Sequence, residues 1–320
     1  MSEVIDFNEV KASNALPSPK GVGLKIIQLC QQEQVSLKDL SRLIQADPVL
    51  AGRIIKIANA VNRNKQRQIA SITNDVLILV GVHAVRQVVL GISLVTLYKN
   101  GECENFDYSA FWSQSVAMAC AAQVITAAIN VAPVAEMFTS GLLAGVGRLG
   151  LASTRPQAYS RLIADYRGKP PGQMIEAEQA LFGFSHIGLT VAMMNDWNIP
   201  RLFADGVLYH LDPEASPFPA GTRHQKIVLV MQMAAVFADA CIATDDKRPA
   251  LLDQLVALGQ GLDIDPAAMA EIVARSSADW VEWGQVLNVP TRALPACLAG
   301  SEALAADGGN VTGAPADPAD

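Results

Sequence analysis

The stretch GLLAGVGRLG, Gly141 to Gly150, decides how the rest of the chain is read. Gly145, Gly147 and Gly150 spell G-x-G-x-x-G, the spacing that lets a strand-to-helix turn approach a pyrophosphate in dinucleotide-binding folds. That chemistry needs a strand before the glycines and an acidic residue about twenty positions after them. The preceding residues, VAEMFTSGLLA, are instead good helix formers, apolar at Val134, Met137, Phe138 and Leu142. Only a few residues then separate Gly150 from Pro156, too few for the helix that would cap a phosphate. The decamer therefore reads as a turn at a helix end, where glycine serves a positive φ or a close packing contact.

Working outward, the flanks are punctuated as a succession of helices. Ser36-Leu-Lys-Asp39 has the form of a capping box, with Leu37, Leu40, Leu43 and Ile44 as its apolar stripe. Asp47-Pro48 places an acid at an N-cap and proline at the first helical position, and Leu50, Ile54, Ile57 and Ala58 form the buried side beyond them. Apolar helix-length segments continue through 71–80 and 82–97. The polar segment 101–105 reads as a connection between two lobes. Asp107 then caps a long helix, Pro133, Pro156 and Pro200 open others, Gly183 ends one and Ser185 starts the next. Further helical patterns occupy 223–243, 249–260 and 266–287. No alternating or β-branched run demands a strand, so an all-α fold is expected.

The chain has 320 residues, 51% hydrophobic and only 17% charged, which fits a large aliphatic core. A formal charge of −7 and a pI near 5.2 disfavour broad binding to nucleic acid or anionic membranes. The opening MSEVIDFNEVK lacks the positive start of a secretory signal. His83, Arg86 and Gln87 interrupt the apolar run 76–97, and Gln232 and Asp239 interrupt 227–242, so both are expected as buried helices rather than membrane spans. Cys30, Cys103, Cys120, Cys241 and Cys297 form no C-x-x-C pair, which points to reduced core thiols and a cytoplasmic location. No Walker loop, G-x-S-x-G elbow or H-E-x-x-H appears.

From Leu16 to about Pro213 the chain resembles the HDOD domain, a relative of the HD hydrolases found in bacterial signalling proteins. The stretches that carry the resemblance are LPSPKGVGLKIIQL, VSLKDLSRLIQADPVLAGRIIKIAN, ILVGVHAVRQVVLG, FWSQSVAMACAA, FTSGLLAGVGRLGL, FGFSHIGLTVAMMNDWNIP and YHLDP, in that order. It implies a two-lobed, all-helical HD-like fold with an HDOD domain over 16–214, its lobes at 16–100 and 106–214, after a lead-in over 1–15. The helical patterns over 223–298 are expected to pack on the second lobe, and the aperiodic Gly, Ala, Asp and Pro of 299–320 read as a disordered tail. The HD relatives carry a His-Asp pair within the decamer's counterpart, and that pair is the core of their metal centre. This chain has Ala144-Gly145 there, and Gln114 where the preceding helix of those relatives offers a histidine. His186, His210 and Asp239 match positions where HD enzymes carry ligands.

The resemblance and these replacements together imply a degenerate site with no catalytic residues, no resident metal and no cofactor. The bridging carboxylate is gone, so no pair of ions is held to generate a hydroxide. His186 is expected to hydrogen-bond in the core, His210 to act as a cation at a helix C-terminus, and Asp239 to pair with a neighbouring helix, for instance through Arg148. The resemblance implies a non-catalytic regulatory module that binds signalling proteins or a small signalling ligand. A metal-dependent phosphohydrolase with an altered ligand set is the alternative reading, and a nucleic-acid-binding regulator the third. Arg53, Lys56, Arg63, Lys65 and Arg67 make a basic stretch, either a solvated face or a site for an acidic partner or phosphate, with Arg53 and Lys56 one turn apart. Asn59 is expected to cap its helix, and His83 to be packed or interfacial.

Overall fold

A computed structural model describes residue 10 and residues 15–32, 34–62, 68–292 and 294. Cys297, the basic residues Arg63, Lys65 and Arg67, and the expected tail lie outside the described residues. Every regular element among the described residues is helical, as the sequence pattern requires. The first lobe holds α1 (Gly21–Leu29), α2 (Leu37–Gln45), α3 (Pro48–Val61), α4 (Asn74–Val80) and α5 (Val82–Leu97). The second holds α6 (Tyr108–Ile129), α7 (Val134–Leu143), α8 (Val146–Thr154), α9 (Pro156–Asp165), α10 (Pro171–Phe182), α11 (His186–Asp196) and α12 (Arg201–Tyr209). A 3-10 turn at Pro213–Ala215 leads to α13 (Arg223–Ile242), α14 (Arg248–Gly259) and α15 (Pro266–Leu287).

The caps read from sequence form as local chemistry dictates. Ser36 Oγ accepts from Asp39 N, Asp47 Oδ1 accepts from both Val49 N and Leu50 N, and Asp107 Oδ1 accepts from Ala110 N at 2.8 Å. Gly81 takes φ +88°, a conformation that a side chain disfavours, and there the chain bends by 86° from α4 into α5.

Helix α6 is the axis of the molecule and packs against α7, α13 and α15. Its alanines make this possible on several sides at once: Ala117, Ala119, Ala121 and Ala122 are all buried. At Gly141 in α7 the helices touch backbone to backbone, since a Cβ there would stand 2.7 Å from the Met118 carbonyl oxygen and 2.8 Å from Ala119 Cα. One core runs from Ile26 and Leu40 in the first lobe through Trp112 and Phe138 to Trp280. Helices α6 and α13 are long and apolar enough to cross a membrane, contrary to the expectation for 227–242. Their apolarity is used inside the fold, where 78% and 61% of their most apolar windows are buried. Cys30, Cys103, Cys120 and Cys241 are buried free thiols.

The C-terminal end of α15 returns to the first lobe. Arg53 Nη2 donates to the Val286 carbonyl and Nη1 to Thr96 Oγ1, while Lys99 Nζ donates to the Leu287 and Asn288 carbonyls. Two cations thus meet the unsatisfied carbonyls of a helix end, where the macrodipole is negative. Lys56 pairs with Glu282 at 3.0 Å and lies over the Trp283 ring. The reading of Arg53 and Lys56 as a charged face for a partner is corrected: Arg53 is 5% exposed and both charges are committed to α15.

Two smaller expectations change as well. Asn59 does not close α3, whose C-cap is Asn62. Instead its amide donates to the Ile55 and Ile69 carbonyls and accepts from Ile69 N at 2.8 Å, pinning the chain ten residues onward. His83 is exposed on the first turn of α5, so of its two expected placements the packed one is excluded.

Candidate functional site

The decamer's glycines all have ordinary negative φ, so close packing rather than positive φ explains them. A Cβ on Gly147 would collide with the His186 carbonyl oxygen and stand 2.7 Å from Thr190 N. Helices α8 and α11 therefore cross with their backbones in contact. The Gly147 N–H donates to Thr190 Oγ1 at 2.8 Å, and that hydroxyl donates to the His186 carbonyl at 2.8 Å. Through this relay the decamer fixes the position of His186. The dinucleotide reading fails on the same geometry, because Gly147 faces a neighbouring helix instead of open space.

Beside this crossing lies a partly open cavity of about 380 Å³. Gln114, Ala144, Gly145, His186, His210 and Asp239, the positions singled out in the sequence, all line it, together with Arg148, Tyr159 and Glu178. Phe111, Met118, Ile163 and Met174 supply apolar wall.

Glu178 and Tyr159 are site residues that sequence reasoning does not single out. Glu178 is fully buried on α10, and the left-handed turn at Gly183, φ +81°, folds it against the start of α11. Its Oε2 accepts from His186 N at 2.7 Å and meets His186 Nδ1 at 2.6 Å, and its Oε1 accepts from Tyr159 OH at 3.2 Å. Three donors around one carboxylate compensate its burial, and the helix N-terminus adds a favourable field. Burial, together with the Glu178 contact, holds the Tyr159 hydroxyl well above the usual phenol range, although Arg148 opposes this. A signal for Glu178 is present in the sequence: Met174, Glu178 and Phe182 fall four residues apart on one helical face.

His210 closes α12 and is buried, with Nδ1 2.6 Å from the Val207 carbonyl. A carbonyl only accepts, so Nδ1 carries the proton and Nε2 keeps a lone pair. Burial lowers its pKa from 6.5 to about 4, partly opposed by the Val207 bond. It is therefore neutral at pH 7, not the helix-end cation expected. Asp239 pairs with a neighbouring helix as expected, but through Gln114 rather than Arg148: its carboxylate accepts from Gln114 Nε2 at 2.6 Å, and Arg148 reaches the other end of that amide, at 3.5 Å. Asp239 meets solvent through the cavity, yet crowding by protein raises its pKa against the pull of Gln114 and Arg148.

The two-metal centre of HD hydrolases does not fit these residues. Positions 144 and 145 supply a methyl and a hydrogen, Gln114 is a neutral amide bonded to Asp239, and Glu178 is engaged by His186 and Tyr159. Among the described residues no three His, Cys, Asp or Glu side chains are gathered where one ion would meet them.

The crystal structure of the MmoQ response regulator from Methylococcus capsulatus str. Bath is 33% identical to this chain, with a TM-score of 0.51, covering 81% of this chain and 97% of that one. An HDOD domain protein of unknown function from Geobacter sulfurreducens shares the fold at 22% identity and a TM-score of 0.58, covering 88% and 97%. No curated protein matches the chain. The HDOD domain model matches residues 16–213, which include the decamer, both histidines and the Glu178 network. With nearly two hundred residues matched and helices in the order the sequence pattern requires, this chain belongs to the HDOD domain family.

Proposed function

We propose that this chain is a non-catalytic, cytoplasmic regulatory module of bacterial signal transduction, acting by binding other signalling proteins or a small ligand. The observation that carries this reading is the composition of the cavity wall. Two imidazoles remain, each with Nδ1 engaged, while positions 114, 144 and 145 bring no ligand capable of bridging ions. A concave site with apolar walls and a few fixed polar groups suits recognition of a molecule. The description of the Methylococcus relative as a response regulator favours a signalling role.

One observation favours a second reading, a metal-dependent phosphohydrolase with a changed ligand set. An imidazole whose Nδ1 donates to a carboxylate or carbonyl is oriented as metal-binding histidines are. A single assay separates the two. Protein supplied with iron, manganese or zinc is incubated with p-nitrophenyl phosphate and bis-p-nitrophenyl phosphate. The regulatory reading expects no release of p-nitrophenol beyond that of the His186→Ala/His210→Ala variant. Turnover by the native protein that is lost in that variant would establish the hydrolase instead.

A further inference from the structure

The cavity's charged groups are unevenly paired. Arg148 is half-buried in its wall, where it meets the amide of Gln114 at 3.5 Å and the Phe106 ring at 5.9 Å. Arg167 reaches Asn105 Oδ1 at 3.5 Å, and Lys169 lies over the Tyr166 ring at 4.1 Å. Among the described residues, none of these three cations has a carboxylate within ion-pair distance. Of the two carboxylates in the wall, Glu178 is saturated by His186 and Tyr159, and Asp239 is bonded to Gln114. In a protein with a net charge of −7, the lining of this apolar-walled hollow thus carries three cations against two carboxylates, a local excess of positive charge. On the same wall His210, with Nδ1 bound to Val207, keeps Nε2 as a lone-pair acceptor.

We infer that this cavity binds a small organic anion that also carries an N–H or O–H donor: its oxyanion meets Arg148, Arg167 and Lys169, its donor meets His210 Nε2, and its apolar body lies against Phe111, Ile163 and Met174. This deepens the regulatory reading and rests on it, since the anion is held as a signal and left unchanged. A half-buried guanidinium in a concave wall, with the exposed Arg167 and Lys169 at its rim, binds an oxyanion through charge-assisted hydrogen bonds. A volume of about 380 Å³ admits a molecule of nucleotide or aromatic-acid size. Phosphate and carboxylate share the required chemistry, and the experiment separates them.

The full chain is titrated by calorimetry with adenosine 5′-monophosphate, 4-hydroxybenzoate and neutral adenosine, and each probe is recovered and analysed afterwards. The expected result is one-to-one binding of an anion, with adenosine at least about tenfold weaker. Binding of the nucleotide alone assigns a phosphate, and binding of the hydroxybenzoate alone a carboxylate. Arg167→Glu/Lys169→Glu changes exposed side chains, so it keeps the native melting temperature, and it is expected to weaken anion binding by about tenfold or more. Arg148→Met, checked for folding by circular dichroism, is expected to do the same. The inference is overturned if neither anion binds, if adenosine binds as well as the anions, or if the charge reversal leaves affinity unchanged. Failure to bind leaves the non-catalytic reading standing through protein partners. Conversely, recovery of adenosine from the nucleotide refutes that reading while anion binding stands.

Discussion

Replacing Gly147 by alanine tests the helix crossing on which the site is built. The added methyl has no room: it would run into the His186 carbonyl and stand 2.7 Å from both Thr190 N and Thr190 Oγ1. These are backbone and short-side-chain atoms, so α8 and α11 must separate. Overpacking of this kind costs about 2 kcal/mol, and losing the buried Gly147 N–H to Thr190 bond adds about 1 kcal/mol. The sum is about 3 kcal/mol, which with about 2 cal/mol/K of unfolding entropy per residue over 320 residues lowers the melting temperature by about 4–5 °C. Gly172 provides the control, because it sits in the first turn of α10 with nothing within 4 Å of a Cβ and an ordinary φ. Alanine there is expected to be neutral or to stabilise by up to about 1 kcal/mol through helix propensity. Differential scanning calorimetry of the two variants decides. A Gly147→Ala protein melting within about 1 °C of the native chain, less than the shift that 1 kcal/mol produces, would refute the backbone contact.

Other substitutions probe the remaining parts. Glu178→Gln places an amide N–H₂ among the donors of His186 and Tyr159, and is expected to cost about 3 kcal/mol by urea denaturation; a midpoint equal to the native one would show that the carboxylate is not the hub of that network. Arg53→Ala strands the Val286 carbonyl and opens a void beneath α15, with an expected loss of about 3 kcal/mol, whereas a loss under about 0.5 kcal/mol would return Arg53 to the solvated surface. His210 has a folded pKa of about 4 against 6.5 for the free side chain, so between these values the unfolded chain binds a proton that the folded chain refuses. Stability from this group is complete above pH 6.5 and falls towards pH 4, by roughly 3 kcal/mol in all. The raised pKa of Asp239 acts in the opposite direction as pH falls, so the comparison is made against His210→Gln, whose stability profile should lack the loss.

What the sequence discloses and what it conceals depend on the range of each interaction. Asp47, Asp107, Ser185 and Thr222 cap helices through atoms two or three residues away, so their roles are written locally. The convergence of Gln114, Ala144, His186, His210 and Asp239 on one cavity is legible only through resemblance, because they come from five separate segments. Arg53 misleads because its neighbours Lys56 and Arg63 suggest a solvated run. Its spacing, three after Leu50 and four before Ile57, marks the buried stripe, and the helix that covers it lies more than two hundred residues away. Glu178 hides in the same way, as one acid among polar neighbours in EAEQ, since its partners are Tyr159 and His186 on other helices. The charge state of His210 depends on burial, which no local pattern reveals.

The loss of coordinating power at Ala144-Gly145 is tested most directly by elemental analysis of protein produced without chelator and desalted under mild conditions. Iron, manganese and zinc are expected well below one ion per chain, with no difference between the native protein and His186→Ala/His210→Ala. One or two ions per chain, retained by the native protein and absent from that variant, would contradict it.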